Sequence, residues 1–88
     1  MKVMMMNKVL VKVYVPTIEE IYDVWIPAHK KIGNIIYLLV KAINELSNGD
    51  YEPSKVPQLY DKLTAEEYDV NLIVKESTIR SGTELILI

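Results

Sequence analysis

The sequence predicts an α+β fold, a mixed sheet with one helix packed on one face, on three observations. Valine occupies every odd position of Lys8-Val9-Leu10-Val11-Lys12-Val13-Tyr14-Val15, the two-residue period of a strand with one strongly buried face. From Lys31 the apolar period lengthens to 3.6, through Ile32, Ile35, Ile36, Leu39, Val40, Ile43 and Leu46, which is the signature of an amphipathic helix. A Ser81-Gly82 turn then feeds a closing apolar strand from Thr83 to Ile88. With the shorter strands between, the order is ββαββ.

Met4-Met5-Met6 opens a segment, residues 1–7, expected to be disordered or extended, with the folded domain running from Lys8 to Ile88. Asn7, Lys8 and Lys12 interrupt the apolar residues there, so neither an export signal nor a membrane span is expected. Pro16 ends the first strand, and Thr17-Ile18-Glu19-Glu20 is short enough to connect an antiparallel hairpin. Its second strand, Ile21-Tyr22-Asp23-Val24-Trp25-Ile26, is rich in β-branched and aromatic residues and is stopped by Pro27. Gly33 falls in the first turn of the helix, where its cost is smallest. Asn48-Gly49 closes the helix, with Gly49 suited to the left-handed C′ position.

Two prolines punctuate the loop Tyr51-Glu52-Pro53-Ser54-Lys55-Val56-Pro57. Gln58-Leu59-Tyr60-Asp61 has room only for a short strand, and Glu67-Tyr68-Asp69 is a candidate for another. Leu72, Val74 and Ile79 are expected to anchor an irregular connection to the core. One good arrangement sets the first and last strands side by side in parallel, through a right-handed crossover.

Composition narrows the function. A chain of 88 residues makes one domain that buries roughly 60–65 % of its unfolded surface, with little core to spare. A hydrophobic share of 50% with 25% charged residues is globular, and a net charge of −2 exerts no general pull toward nucleic acid or anionic lipid. Cysteine is absent, which removes disulfides and thiolate metal sites and suits a reducing compartment. No repeat or linker divides the chain.

No catalytic, cofactor-binding or metal-ligating residue is expected. His29, the single histidine, has no local partner for metal or acid–base work and reads as an exposed residue at the helix entrance. Glu66, Glu67 and Asp69 lack the ligand spacing of a calcium loop and read as a solvated turn. Gly33 and Gly82 belong to no phosphate-cradling motif. Lys2, Lys8, Lys12, Lys30 and Lys31 are not interleaved with stacking aromatics, so nucleic-acid binding is not expected either.

Two stretches carry a family resemblance. Ile79-Arg80-Ser81-Gly82-Thr83-Glu84-Leu85-Ile86-Leu87 is similar to the turn and final strand of ubiquitin-like domains, and the whole of Lys8 to Ile88 resembles a ubiquitin-like β-grasp domain. Leu59-Tyr60-Asp61-Lys62-Leu63-Thr64, followed by Tyr68-Asp69 and Leu72, resembles the YukD/EsaB group, small bacterial proteins associated with type VII secretion. Modifiers and sulfur carriers of this fold act through a slender Gly-Gly tail, whereas this sequence reads Leu87-Ile88 within the strand pattern. The resemblance therefore implies a non-enzymatic, non-conjugated, cytoplasmic interaction module, an accessory or regulatory component that meets a protein partner of the secretion apparatus.

Strand faces supply the candidate site. If Val9, Val11, Val13 and Val15 face the helix, Leu10, Lys12 and Tyr14 point away from it. Tyr22, Val24 and Ile26 then turn inward with Trp25 outward, and Leu59 inward with Tyr60 outward. Leu85 and Leu87 align with the core face of ubiquitin-like domains, which leaves Ile86 and Ile88 outside. The expected binding face is thus Leu10, Tyr14, Trp25, Tyr60, Ile86 and Ile88, more apolar and aromatic than a soluble monomer ordinarily exposes. Two other uses stay open: a homo-oligomeric structural protein, such as a homodimer seamed through this face, and a sulfur-carrier or modifier-like protein without the tail.

Overall fold

A computed structural model describes residues 7–88. The expectation for the N-terminal segment falls outside it except at Asn7, whose carbonyl accepts the Ala28 amide at 2.7 Å. Strands β1 (Lys8–Val15) and β2 (Glu20–Pro27) form an antiparallel hairpin in register from Val15↔Glu20 to Lys8↔Pro27. The tight turn between them bonds Ile18 to Val15 and Glu19 to Pro16, with Glu19 at φ 53°. Pro27 is tolerated inside β2 because this strand lies at the sheet edge, where a missing amide breaks no ladder.

Helix α1 spans Ile32–Leu46 and buries Ile32, Ile35, Ile36, Leu39 and Ile43 on one stripe, with Val40 packed at its margin. Leu46 departs from expectation: it is 60% exposed, one turn beyond the last core contact at Ile43. Among the described residues, no side chain caps the N-terminus of α1. Instead the Ile32 amide donates to the Leu72 carbonyl (2.8 Å) and the Gly33 amide to Val70 (3.0 Å), so a neighbouring backbone satisfies donors that a helix start leaves free. That close approach explains Gly33, since a Cβ there would meet the Val70 carbonyl oxygen at 3.3 Å.

The C-terminal end corrects the assignment of Gly49. Ser47 is the C-cap, so Asn48 (φ 55°) takes the C′ position and Gly49 (φ 83°) follows it at C″. The Gly49 amide reaches the Asn44 carbonyl (2.9 Å) and the Asn48 amide reaches Glu45 (3.1 Å), the paired bonds of a Schellman motif.

Past the helix, Tyr51 turns into the core at 2% exposure, its amide donating to Ser47 Oγ (3.0 Å) and its carbonyl accepting from Asn44 Nδ2 (2.9 Å). Strand β3 is Leu59–Asp61, and the candidate strand at residues 67–69 reduces to a single bridge, Tyr60↔Glu67. A 3₁₀ turn, Val74–Glu76, then leads to Ile79; Val74 and Ile79 are buried as expected. Leu72 is not the anchor assigned to it: it remains 37% exposed, while its backbone carbonyl serves the start of α1. Strand β4 is Glu84–Leu87, shorter than the expected Thr83–Ile88, although Ile88 and Gln58 extend the pairing with two backbone bonds of 2.9 and 3.1 Å.

The sheet order is β2-β1-β4-β3, with β4 parallel to β1 and antiparallel to β3. First and last strands therefore lie side by side in parallel. Val11, Val13, Val15, Ile26, Leu59, Leu85 and Leu87 line the helix-facing side of the sheet and pack into one cluster with the helix stripe. Each such side chain contributes about 1.5–3 kcal/mol on burial. Against that, the two described salt bridges join solvent-exposed groups and add little.

Candidate protein-binding face

Side chains that alternate away from α1 build the second face of the sheet, and strand register arranges them in rows. Across β2, β1, β4 and β3, one row reads Ile21, Tyr14, Ile86, Tyr60, through the pairs Tyr14↔Ile21, Tyr14↔Ile86 and Tyr60↔Ile86. All four are apolar or aromatic. Tyr60 is tied down by its hydroxyl, which donates to Gln58 Oε1 at 2.7 Å. Ile88, 49% exposed, lies two residues beyond Ile86 on the same face.

The next row is charged. Asp23 pairs with Lys12 and Lys12 with Glu84, and the Lys62 amide continues the ladder to the Glu84 carbonyl at 2.9 Å. Two ion pairs hold it, Lys12–Asp23 at 3.0 Å and Lys62–Glu84 at 3.5 Å. Lys62 also lies 5.5 Å from the centroid of the Tyr14 ring, a cation–π contact that folds the lysine stem toward the apolar row. Beyond the charges comes Leu10↔Trp25, with Trp25 56% exposed.

This layout revises the single patch expected from the sequence. Tyr14, Tyr60, Ile86 and Ile88 come together, whereas Leu10 and Trp25 form a separate apolar pair. Leu10 is four residues from Tyr14 along β1, about 13 Å, with the Lys12 row between. The physical reason is the period of the strand: outward positions on β1 are Leu10, Lys12 and Tyr14, and the middle one is charged. Ile21, 56% exposed, belongs to the main row and was missed, although alternation with Tyr22 already turned it outward.

Elsewhere, the turn after β3 is organised by Asp61. Its Oδ1 accepts the Leu63 and Thr64 amides (2.8 and 3.0 Å), and its Oδ2 accepts the Tyr68 hydroxyl (3.1 Å). The Thr64 amide bond, with help from Leu63 and Tyr68, holds the Asp61 carboxyl below its ordinary range against the opposing effect of burial. Burial pushes Tyr68 up. A groove of about 280 Å³ runs beside this turn between Glu66, Glu67, Asp69 and Glu76. Among the described residues, no group of three or more His, Asp or Glu side chains is placed to hold a metal ion. His29 stands exposed in the turn before α1, and no described helix is long and apolar enough to cross a membrane.

A helix on one face of a four-stranded mixed sheet in the order β2-β1-β4-β3 is the ubiquitin-like β-grasp architecture. Solved ubiquitin-like domains of type VII secretion proteins share it. The ubiquitin-like domain of the Mycobacterium tuberculosis type VII secretion system protein EccD1 superposes with a TM-score of 0.75 at 15% identity, over 94% of this chain and 99% of that one. The EccD5 ubiquitin-like domain from Mycobacterium xenopi matches at 0.75 and 22% identity, over 91% of each chain. A chain of the MycP5-free ESX-5 inner membrane complex matches at 0.76 and 17% identity; 92% of this chain is covered but only 20% of that one, so the chain spans about a fifth of that relative's length. At such identities the likeness is one of fold. No family model matches the sequence, and no curated protein does.

Proposed function

We propose that this chain is a non-enzymatic, non-conjugated ubiquitin-like interaction module that docks on a protein of a bacterial type VII secretion apparatus, as an accessory or regulatory component in the cytoplasm. The observation that carries the docking reading is the row Ile21, Tyr14, Ile86, Tyr60, which crosses all four strands on the side away from α1. Apolar and aromatic ladders of this kind are favoured interface cores, and the adjacent charges provide a polar rim that selects partner and orientation. Fold-level likeness to EccD1 and EccD5 domains supports the secretion setting by analogy. Similarity to the YukD/EsaB group belongs to the same reading.

The test is a pull-down with purified soluble segments of type VII inner-membrane proteins. Ile86→Glu, in the centre of the row, is expected to reduce capture at least about ten-fold, since a charge buried in an interface core costs more than 1.4 kcal/mol. Trp25→Ala, in the separate pair, is expected to weaken capture less. Equal capture by wild type and both variants contradicts the reading.

A further inference from the structure

The charged row carries a geometric property that identifies one occupant of this face. Read across the sheet, it runs Asp23, Lys12, Glu84, Lys62, with signs minus, plus, minus, plus. Rotation by a half turn about an axis parallel to the strands, between β1 and β4, exchanges the columns of β2 and β3 and those of β1 and β4. Lys12 of one copy then faces Glu84 of the other, and Asp23 faces Lys62, so all four facing pairs are opposite in charge. The same operation lays Tyr14 on Ile86 and Ile21 on Tyr60, aromatic against aliphatic in every pair of the apolar row. An axis across the strands sets each charge on its own copy, and an axis along β1 sets Asp23 on Glu84. Only the central axis satisfies both the charged row and the Tyr14–Ile86 row.

We propose that the outer sheet face binds a second copy of this chain about that axis. The proposal rests on the outer face being an interface, and it names the occupant when no other protein is bound. Aligned sheets pack about 10 Å apart at an angle near 30°, which displaces the outer columns by roughly 4 Å, less than the ~6.8 Å between rows. Long lysine and carboxylate side chains span that offset. Four strands at ~4.8 Å spacing and three rows make a patch of roughly 300–400 Å² per copy, well below that of a permanent dimer. The self-pair is consequently weak, salt-sensitive and open to displacement by a larger partner.

Carbodiimide coupling of mixed light and ¹⁵N-labelled protein, at high concentration and low salt, reads the geometry directly. Expected are mixed-isotope cross-links Lys12–Glu84 and Lys62–Asp23. The mixed isotopes make either link diagnostic, since only a link between copies joins a light to a labelled chain; for Lys62 and Asp23 the backbones also lie about three strand spacings, ~14 Å, apart within one copy. Two variants test the charge logic: Lys12→Glu with Lys62→Glu makes the row wholly acidic, and Asp23→Lys with Glu84→Lys makes it wholly basic. Each alone is expected to self-associate roughly ten-fold more weakly in sedimentation, and their mixture to recover association. Circular dichroism of each variant confirms that it is folded; should either fail this, Ile86→Glu serves as the disrupting variant. A wild type that stays monomeric at millimolar concentration, or cross-links confined to other surfaces, overturns the proposal. If that monomer still loses its heterologous partner on Ile86→Glu, the docking reading stands alone; if partner capture is also insensitive, both fall.

Discussion

Leu85 and Ile86 are adjacent in β4 and point to opposite faces, so replacing each in turn separates core from surface. Leu85 is wholly buried in the cluster between sheet and helix. Leu85→Ala removes that packing and is expected to cost about 3 kcal/mol. A chain of 88 residues has a total stability of roughly 4–13 kcal/mol, so this one change takes a large share. It should lower Tm by ~12–24 °C. Ile86→Glu exchanges a half-buried side chain on the solvent side, between Tyr14 and Tyr60, and is expected to cost about 1 kcal/mol or less. Urea unfolding followed by far-UV circular dichroism, at a concentration low enough to keep copies apart, measures both. A loss from Ile86→Glu equal to that from Leu85→Ala would refute the assignment of faces, and with it the interface built on them.

Two further outcomes follow from buried and half-buried polar groups. Tyr51 is buried with its hydroxyl meeting no hydrogen-bond partner among the described residues, so Tyr51→Phe is expected to be neutral or stabilising by up to about 1 kcal/mol in the same urea assay; a clear loss would mean that the hydroxyl is bonded. Asp61 has a carboxyl held below its ordinary range, so its contribution is complete above the unfolded pKa of about 3.9 and lost as pH falls through the lower folded value. Asp61→Asn should therefore lower stability at neutral pH and flatten its decline under acid, and an unchanged acid profile would contradict this.

Much of the architecture was legible because it rests on period. Valine at every odd position of β1 names the core face, the 3.6 spacing from Ile32 to Ile43 names the helix stripe, and alternation around Leu85 and Leu87 orients β4. Where period stops, the reading weakens. Leu46 continues the helical spacing but lies past the end of the surface that α1 packs on. Leu72 sits in an irregular segment whose backbone, rather than its side chain, meets the helix. Tyr51 and Tyr68 are buried from loops and carry no periodic signal at all. Gly49 falls at C″ rather than C′ because Asn48, which also tolerates the left-handed region, takes C′ first.

The outer face shows the same boundary between local and non-local information. Alternation alone turns Leu10, Lys12, Tyr14, Trp25, Tyr60 and Ile86 outward, and each is where alternation puts it. Which of them touch depends on register between strands distant in sequence: Tyr14 with Ile86 is a pairing across 72 positions of chain. Register also joins Lys12 to both Asp23 and Glu84, and so creates the charged row that parts Trp25 from the main ladder.

The outer sheet face is the proposed docking surface. The measurement that addresses it most directly is an NMR titration of ¹⁵N- and methyl-labelled protein with a captured soluble segment of a type VII inner-membrane protein. Perturbations concentrated at Tyr14, Ile21, Tyr60, Ile86 and Ile88 are expected, with the exposed helix residues Tyr37 and Leu38 unchanged. Perturbations centred on Tyr37 and Leu38, with the Tyr14–Ile86 row silent, would contradict it.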